Sequence, residues 1–169
     1  EIGVPFNNIL IVYIFECLLK RVSKSNRKNS IVLKGGVLVC SMYGLENRLT
    51  TDMDLSLYNE NLSIESVSKI LNEIININLN DGLTLTLIKI EPIKNMDIYG
   101  GLRANIAYKF DQMKGSISID IATGDIITQN PTEYLYRTIL DNDSFNILAY
   151  NIETIIAEKL ETILEQGIA

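Results

Sequence analysis

The chain has 169 residues, of which 47% are hydrophobic and 21% are charged, so it is long and apolar enough for one domain with a core. The formal net charge of −6 differs from that of nucleic-acid clamps, which are usually basic. The sequence contains no histidine, which excludes histidine-based catalytic triads and histidine-rich zinc sites; any bound metal must be held mainly by oxygen.

The first half of the chain is predicted to alternate between helices and short strands. Helical spacing of apolar residues, period-two alternation and glycine positions set the approximate boundaries. The predicted order is a helix at about 5–22, a polar loop at 23–29, a strand at 31–33, a helix from Gly35-Gly36 to about 43, a strand at 52–57 and a helix at 62–75.

The second half predicts antiparallel strands followed by helices. Glycine-containing turns at Gly100-Gly101 and Lys114-Gly115 separate the strands into hairpins. The predicted segments are strands at 83–90, 102–110 and 116–121, a helix at 131–140, a short extended piece at 147–150 and a helix that Asn151 caps and that runs to about 166. The pattern indicates an α+β fold, in which helices pack on a mixed β-sheet.

Three further features concern the cellular context. The most apolar stretch, residues 9–15, is broken by Glu16 and is too short to cross a bilayer, so we expect no membrane partner. Cys17 and Cys40 lie in apolar runs without metal-binding spacing, and we expect buried reduced thiols and a cytoplasmic protein. Because the chain begins at Glu1 rather than methionine, we expect a piece of a longer protein.

Two carboxylates two residues apart stand in the predicted strand 52–57. Side chains alternate along a strand, so Asp52 and Asp54 share one face while Met53 and Leu55 turn to the core. This placement suits one divalent ion or a close pair of ions that activates a hydroxyl and stabilises a leaving pyrophosphate. An exposed acidic strand face is the alternative explanation of the pair taken alone.

A third carboxylate is predicted on the strand 116–121. Ile117, Ile119 and Ile121 fill one face, so Asp120 points from the other face and can complete a two-ion site. A solvent-facing Asp at a strand end is the alternative. Asp125, in a predicted turn, is a weaker candidate for the third ligand.

Two positions indicate contacts with an anion. Gly35 and Gly36, between a strand and a helix, leave backbone amides to which a phosphate can come close, although an ordinary tight turn is the favoured explanation of the two glycines taken alone and no Walker loop is present. Lys159 lies within a stripe formed by Ile155 and other isoleucines of the last helix, so it must extend outward to solvent or meet an anion.

Taken together, these segments resemble the AbiEii/AbiGii toxin family of nucleotidyltransferases over nearly the whole chain from about Phe15. The combination in this order is much more specific than any single motif. The matching segments are Leu33-Lys34-Gly35-Gly36 through Tyr43-Gly44, then Arg48, Thr50, Thr51 and Asp52-Met53-Asp54-Leu55, then Ile119-Asp120-Ile121 with Gly124-Asp125, and Ala149-Tyr150 through Ala157-Glu158-Lys159-Leu160.

The resemblance implies a polymerase-β-like fold and Mg²⁺- or Mn²⁺-dependent transfer of a nucleotide from a nucleoside triphosphate to an acceptor hydroxyl. Carried over by position, the metal ligands would be Asp52, Asp54 and Asp120, and Asp120 would also help to deprotonate the acceptor. Lys159 would face the nucleotide phosphates. The nucleotide-binding positions would be Lys34, Gly35, Gly36, Arg48 and Thr51.

Family members act as toxins of bacterial toxin–antitoxin and abortive-infection systems, which implies phage defence, an antitoxin protein as partner and tRNA as a candidate acceptor. The family pattern continues with a run of roughly R-x-K-D-x-x-D, and this chain ends at Ala169 before it. We therefore expect residues 1–169 to be a catalytic core without the family's C-terminal helical part. Two alternatives stay open: an antibiotic-type small-molecule nucleotidyltransferase, and a non-catalytic binding module of the same fold.

Overall fold

The computed structural model describes residues 5–43, 50–93, 100–123 and 130–166. In these residues the chain forms a mixed sheet flanked by helices. The described helices are α1 (Phe6–Lys24), α2 (Gly35–Tyr43), α3 (Ile64–Ile75) and α4 (Ile152–Gln166). The strands are β1 (Ile31–Lys34), β2 (Met53–Leu57), β3 (Leu83–Pro92), β4 (Gly101–Phe110), β5 (Met113–Ala122), β6 (Thr132–Arg137) and β7 (Ser144–Ala149).

The seven strands form one sheet in the order β3-β4-β5-β2-β1-β7-β6. Strand β2 lies near the centre, parallel to β5 on one side and antiparallel to β1 on the other. Strand β7 is parallel to β1, whereas β3–β4, β4–β5 and β6–β7 are antiparallel pairs. The predicted mixed sheet with packed helices is confirmed.

Alternation along the central strands separates a core face from an open face. Met53 and Leu55 of β2 and Ile119 of β5 are at most 2% exposed and belong to one apolar core with buried residues of α1 and α3. Asp54 and Asp120 leave the opposite face and remain partly accessible. The predicted division into apolar and acidic faces is therefore confirmed.

A buried ion pair joins α1 to the start of β3. The Arg21 side chain is 2% exposed, and its two terminal nitrogens donate to the Asp81 carboxylate at 2.7 and 2.9 Å. The same guanidinium also donates to the carbonyls of Cys17 and Leu83. Because the charge is paired and bonded to backbone oxygens, this arginine is tolerated in the interior.

A second buried charge-bearing group, Glu16, faces the β6–β7 hairpin from α1. Its Oε1 accepts a hydrogen bond from the Ile139 amide at 2.8 Å and one from the Tyr136 hydroxyl at 3.4 Å. Among the described residues, nothing donates to Oε2. Burial raises the pKa of Glu16 to about 7, even though the Ile139 amide lowers it.

One element type and one turn position differ from the sequence-based prediction. The segment predicted as a helix at 131–140 is strand β6, because Tyr136 turns inward while Leu135 and Arg137 stay exposed, and the segment pairs with β7. The β4–β5 turn is at residues 111–112, with Asp111 at φ +52°, and the predicted turn residues Lys114 and Gly115 lie inside β5.

Two local predictions are confirmed. Asn151 caps α4, because its Oδ1 accepts a hydrogen bond from the Thr154 amide at 2.8 Å. Cys17 and Cys40 are buried, and neither is in a disulfide. None of the helices among the described residues has the length and apolarity that a bilayer crossing needs.

Candidate functional site

Four charged residues form a row across four adjacent strands. Arg103 of β4 pairs in register with Asp120 of β5, Asp120 pairs with Asp54 of β2, and Asp54 pairs with Lys34 of β1. Residues in register across a sheet project from the same face. This charge row therefore brings the predicted residues Lys34, Asp54 and Asp120 together on the open face, although other helices and strands separate them in the sequence.

Asp54 occupies a partly buried position in the charge row. Burial raises the pKa of its carboxyl group above the usual range, the Lys34 ammonium opposes this shift, and the negative charges of Asp120 and Asp52 add to it. The Gly36 amide also hydrogen-bonds this carboxylate. Because Lys34 and Gly36 only partly offset burial and two neighbouring acids, a further cation at this point would stabilise the ionised form.

The two glycines leave room that the protein itself uses. A Cβ atom on Gly35 would lie 2.0 Å from Asp54 Oδ2, and one on Gly36 would lie 2.6 Å from Thr50 Oγ1. Gly35 also has φ +66°, which side chains rarely allow. The missing side chains thus let Asp54 pack against Gly35 and Thr50 pack against Gly36 at the start of α2. The close approach was predicted for a phosphate and not for these side chains.

Arg103 is a site residue that the sequence analysis missed. Its Nε donates to Asp120 Oδ1 at 2.6 Å and its Nη2 to Asp120 Oδ2 at 2.7 Å, so both carboxylate oxygens are engaged. The Asp120 hydrogen bonds and charge, with a further contribution from Asp52, raise the pKa of Arg103. Correct placement of the β4–β5 turn would have revealed this partner, because the turn fixes which residues lie opposite each other.

The remaining residues of the predicted metal motif lie just before β2. Thr51 and Asp52 are exposed, and the Asp52 amide donates to Thr50 Oγ1 at 3.3 Å. The charge of Asp52 contributes to the pKa shifts of both Asp54 and Arg103, which places it in their electrostatic environment. Two other candidates, Arg48 and Asp125, are outside the described residues.

Helix α4 reaches the site through Glu158. The Lys34 Nζ atom lies 3.1 Å from Glu158 Oε1 and 5.5 Å from the centre of the Tyr150 ring. Lys159, the predicted phosphate-facing residue, is exposed. Each residue of an α-helix is rotated by about 100° from the one before it, so the neighbouring positions 158 and 159 cannot occupy the same side.

The apolar stripe that contains Lys159 does not pack against the described domain. Only Ile155 of that stripe is buried, whereas Ile152, Ile156 and Ile163 are 46%, 53% and 51% exposed. Among the described side chains of α4, Thr154 and Ile155 are the buried ones, and Glu158 lies one turn beyond Thr154 on the same side. The helix therefore attaches through a face that is rotated away from its apolar stripe.

The acidic side chains have the chemistry for a hard divalent cation. Carboxylate oxygens of Asp52, Asp54 and Asp120 are the ligand type that Mg²⁺ and Mn²⁺ prefer. Within the described ranges, no three such side chains are grouped closely enough to hold an ion, and Asp120 is engaged by Arg103 instead. Asp54 fits the cation best, because burial and two neighbouring acids disfavour its negative charge when no cation is bound.

Comparison with protein families gives one match. The model of the nucleotidyl transferase AbiEii toxin family, from type IV toxin–antitoxin systems, matches residues 17–168. This range contains all four members of the charge row and the whole of α4. None of the curated proteins matches the sequence significantly.

Two solved structures show the same fold. JHP933 from Helicobacter pylori superposes with a TM-score of 0.56 at 18% identity, over 94% of this chain and 58% of that protein. An antigenic nucleotidyltransferase-like protein from Paracoccidioides brasiliensis gives a TM-score of 0.55 at 16% identity, over 93% of this chain and 68% of that protein. The chain thus spans little more than half the length of JHP933.

Proposed function

Because the chain belongs to the AbiEii nucleotidyltransferase toxin family, we propose that residues 1–169 are a catalytic core of the polymerase-β-like type that transfers a nucleotide from a nucleoside triphosphate to an acceptor hydroxyl. The observation that carries this proposal is the charge row. It places Asp54 and Asp120 side by side on an open face, with Lys34 beside them. Nothing in the packing of the core requires two neighbouring acids there.

In the proposed reaction, the acceptor hydroxyl oxygen forms a bond to the α-phosphorus of the triphosphate. The bond from that phosphorus to the bridging oxygen of the β-phosphate breaks, and pyrophosphate leaves with the electron pair. Asp120 accepts the hydroxyl proton, directly or through water. Bound Mg²⁺ or Mn²⁺ would supply charge stabilisation for the attacking and leaving oxygens.

Each residue of the proposed site has a separate role in this reaction. Asp52 and Asp54 would hold the metal, and Asp120 would join them once its oxygens are released. Lys34, positioned by Glu158 and Tyr150, would contact the triphosphate. Gly35, Gly36, Thr51 and Arg48 complete the proposed nucleotide-binding set, and Lys159 would reach the phosphates from the exposed side of α4.

At the level of the cell, we propose a toxin of a bacterial toxin–antitoxin system that acts in abortive infection by phage. Its partners would be a nucleoside triphosphate and a cognate antitoxin, its acceptor would be tRNA, and it would act in the cytoplasm. The family match supports the toxin assignment. The net charge of −6 means that a polyanionic acceptor would have to be held by local cations rather than by the overall field.

The decisive experiment measures nucleotide transfer by the full chain. The protein is incubated with Mg²⁺, total tRNA and each labelled nucleoside triphosphate in turn, beside Asp54→Asn and a matched surface variant, Asp143→Asn. We expect label in RNA with the wild type and with Asp143→Asn, because Asp143 pairs with Lys20 at a partly exposed position away from the charge row. We expect no label with Asp54→Asn.

Other outcomes have definite meanings. Consumption of triphosphate with label on a small molecule instead of RNA would replace tRNA by an antibiotic-type acceptor. Absence of triphosphate consumption together with absence of Mg²⁺ and nucleotide binding would refute the enzymatic proposal and leave a binding module of the same fold.

A further inference from the structure

Arg103 occupies the position at which Asp120 would have to act. Its fork-shaped guanidinium engages both oxygens of Asp120 at 2.6 and 2.7 Å, in the geometry that makes arginine–carboxylate pairs strong. A divalent ion and a guanidinium beside one carboxylate repel each other. Arg103 and a metal ion therefore compete for Asp120.

The guanidinium is free to move without disturbing the fold. The Arg103 side chain is 48% exposed on the open face of β4, whereas its strand neighbours Leu102 and Ala104 are buried in the core. Rotation of its side-chain bonds would release Asp120 and leave the apolar packing unchanged. In β3, the residue in register with Arg103 is Glu91, so the alternative protein partner on that side is a single exposed acid.

A nucleoside triphosphate is the ligand that can take the guanidinium from Asp120. Phosphate oxygens match the planar fork of arginine as carboxylate oxygens do, and a triphosphate carries more negative charge than one aspartate. Arg103 lies in the charge row beside the two proposed catalytic acids, at the opposite end from Lys34. A triphosphate above Asp54 and Asp120 would then have a cation on either side.

From this geometry, and resting on the proposed function, we propose that Arg103 is a positioning residue that holds Asp120 in the free protein and exchanges it for a phosphate of the incoming nucleotide. The exchange would make Asp120 available to the metal and to the acceptor hydroxyl only when nucleotide is present. Arg103 would thereby prevent the acidic cluster from loading fully with metal before its substrate arrives.

The test measures two affinities of the full chain separately. Mn²⁺ binding is measured without nucleotide, from the electron paramagnetic resonance signal of the Mn²⁺ that remains free. Binding of α,β-methylene ribonucleoside triphosphates, one base at a time, is measured in EDTA by calorimetry. For Arg103→Met we expect Mn²⁺ to bind roughly tenfold more tightly and the triphosphate to bind roughly tenfold more weakly, the scale of one charge-assisted pair.

Two variants separate the fork geometry from charge and from general damage. Arg103→Lys keeps the charge but cannot bond both oxygens side by side, so we expect an Mn²⁺ affinity between those of the wild type and Arg103→Met. Lys89→Met removes a cation from the same hairpin, where Lys89 pairs with Glu91. We expect it to change either affinity by less than about twofold.

The opposite directions of the two shifts make the outcome decisive. If wild type binds both ligands but Arg103→Met changes neither affinity, or weakens both, the proposed exchange is wrong while the proposed function stands. If Arg103→Lys binds both Mn²⁺ and the triphosphate as wild type does, the two-oxygen guanidinium contact is not what holds Asp120, and the exchange as proposed is also wrong. If wild type binds neither Mn²⁺ nor any triphosphate analogue, both proposals fail together.

Discussion

Asp54 and Asp120 lie in register on the adjacent parallel strands β2 and β5, so two carboxylates leave the same face of the sheet side by side. Cations stand at both ends of this acidic pair, Lys34 beyond Asp54 and Arg103 beyond Asp120. The arrangement balances charge along the row, yet the pKa of Asp54 stays raised because burial outweighs the help from Lys34. This balance leads to the first prediction.

Asp54→Asn should stabilise the metal-free protein while it removes metal binding. A carboxyl group whose pKa is raised by folding weakens stability as pH rises from its usual range through the raised pKa. At pH 7.5, the neutral amide should therefore raise the melting temperature by roughly 2–4 °C, and calorimetric titration should detect no Mn²⁺ binding at this site. A lower melting temperature would show that the charge of Asp54 is already compensated in the folded protein.

Gly35→Ala should destabilise the protein more than Gly82→Ala. Both glycines have similar positive φ angles, +66° and +71°, so both substitutions cost about 1 kcal/mol or more from the backbone. Only at Gly35 would the new Cβ lie 2.0 Å from Asp54 Oδ2; at Gly82 the nearest atom is 3.9 Å away. Urea unfolding should show an additional loss of about 1–2 kcal/mol for Gly35→Ala.

The same pair of variants distinguishes a local clash from a general loss of stability. Gly35→Ala should also weaken Mn²⁺ binding, because relief of the clash requires Asp54 to move. Gly82→Ala should bind Mn²⁺ as wild type does. Equal stability losses for the two variants would argue that Asp54 does not depend on the absence of a side chain at Gly35.

Glu16→Gln should flatten the dependence of stability on pH. The pKa of Glu16 is raised by burial to about 7, so the folded state retains a proton that the unfolded state has released. The free energy of unfolding of wild type should therefore fall between about pH 4.5 and 7 and change little above that range on account of this group. The variant lacks this slope and should be more stable at pH 8 by on the order of 2 kcal/mol.

The Glu16 prediction is checked by urea unfolding at half-unit steps from pH 4.5 to 8.5. The quantity to compare is the difference between the two stability profiles, because other groups titrate equally in both proteins. The glutamine keeps an oxygen for the Ile139 amide, so the hydrogen bond to α1 is preserved. Parallel profiles would mean that Glu16 is ionised in the folded protein throughout the range.

Asp81→Ala should cost about 3 kcal/mol or more, because it leaves the 2%-exposed Arg21 guanidinium without its carboxylate. Asp143→Ala removes the partner of Lys20 in a partly exposed pair and should cost less, about 1 kcal/mol or below. Guanidinium chloride unfolding at pH 7 measures both. Similar losses for the two variants would show that water or the carbonyls of Cys17 and Leu83 satisfy Arg21 well enough alone.

The acidic half of the site could be predicted from the sequence because alternation along a strand is a local property. Asp54 and Asp120 each stand between two apolar residues, and the structure places those apolar neighbours in the core. Strand β6 was mistaken for a helix because Leu135 interrupts the alternation: it is apolar yet 49% exposed. Pairing with β7, which is not local, decides the conformation of that segment.

The cationic partner of Asp120 depends on register, which the predicted turn set incorrectly. A turn at Lys114-Gly115 would have placed Asp120 opposite Lys109, whereas the actual turn at residues 111–112 places it opposite Arg103. On α4, the apolar stripe suggested that Lys159 lies on the packed side, but Glu158 makes the contact with Lys34. In both cases, neighbouring elements and not local spacing select the partner.

The charge row also has a consequence for how the protein is made. Its members come from β1, β2, β4 and β5, and none of the pairs that matter for chemistry is formed within one hairpin except Arg103 with Asp120. During synthesis, β1 and β2 can pair early, but the parallel β2–β5 ladder must wait until β5 has emerged. A nascent or truncated chain that lacks β5 would therefore carry Asp54 without Asp120. For a protein proposed to be toxic, catalytic competence would then arrive only after β5 has been translated, in chains whose central sheet has closed.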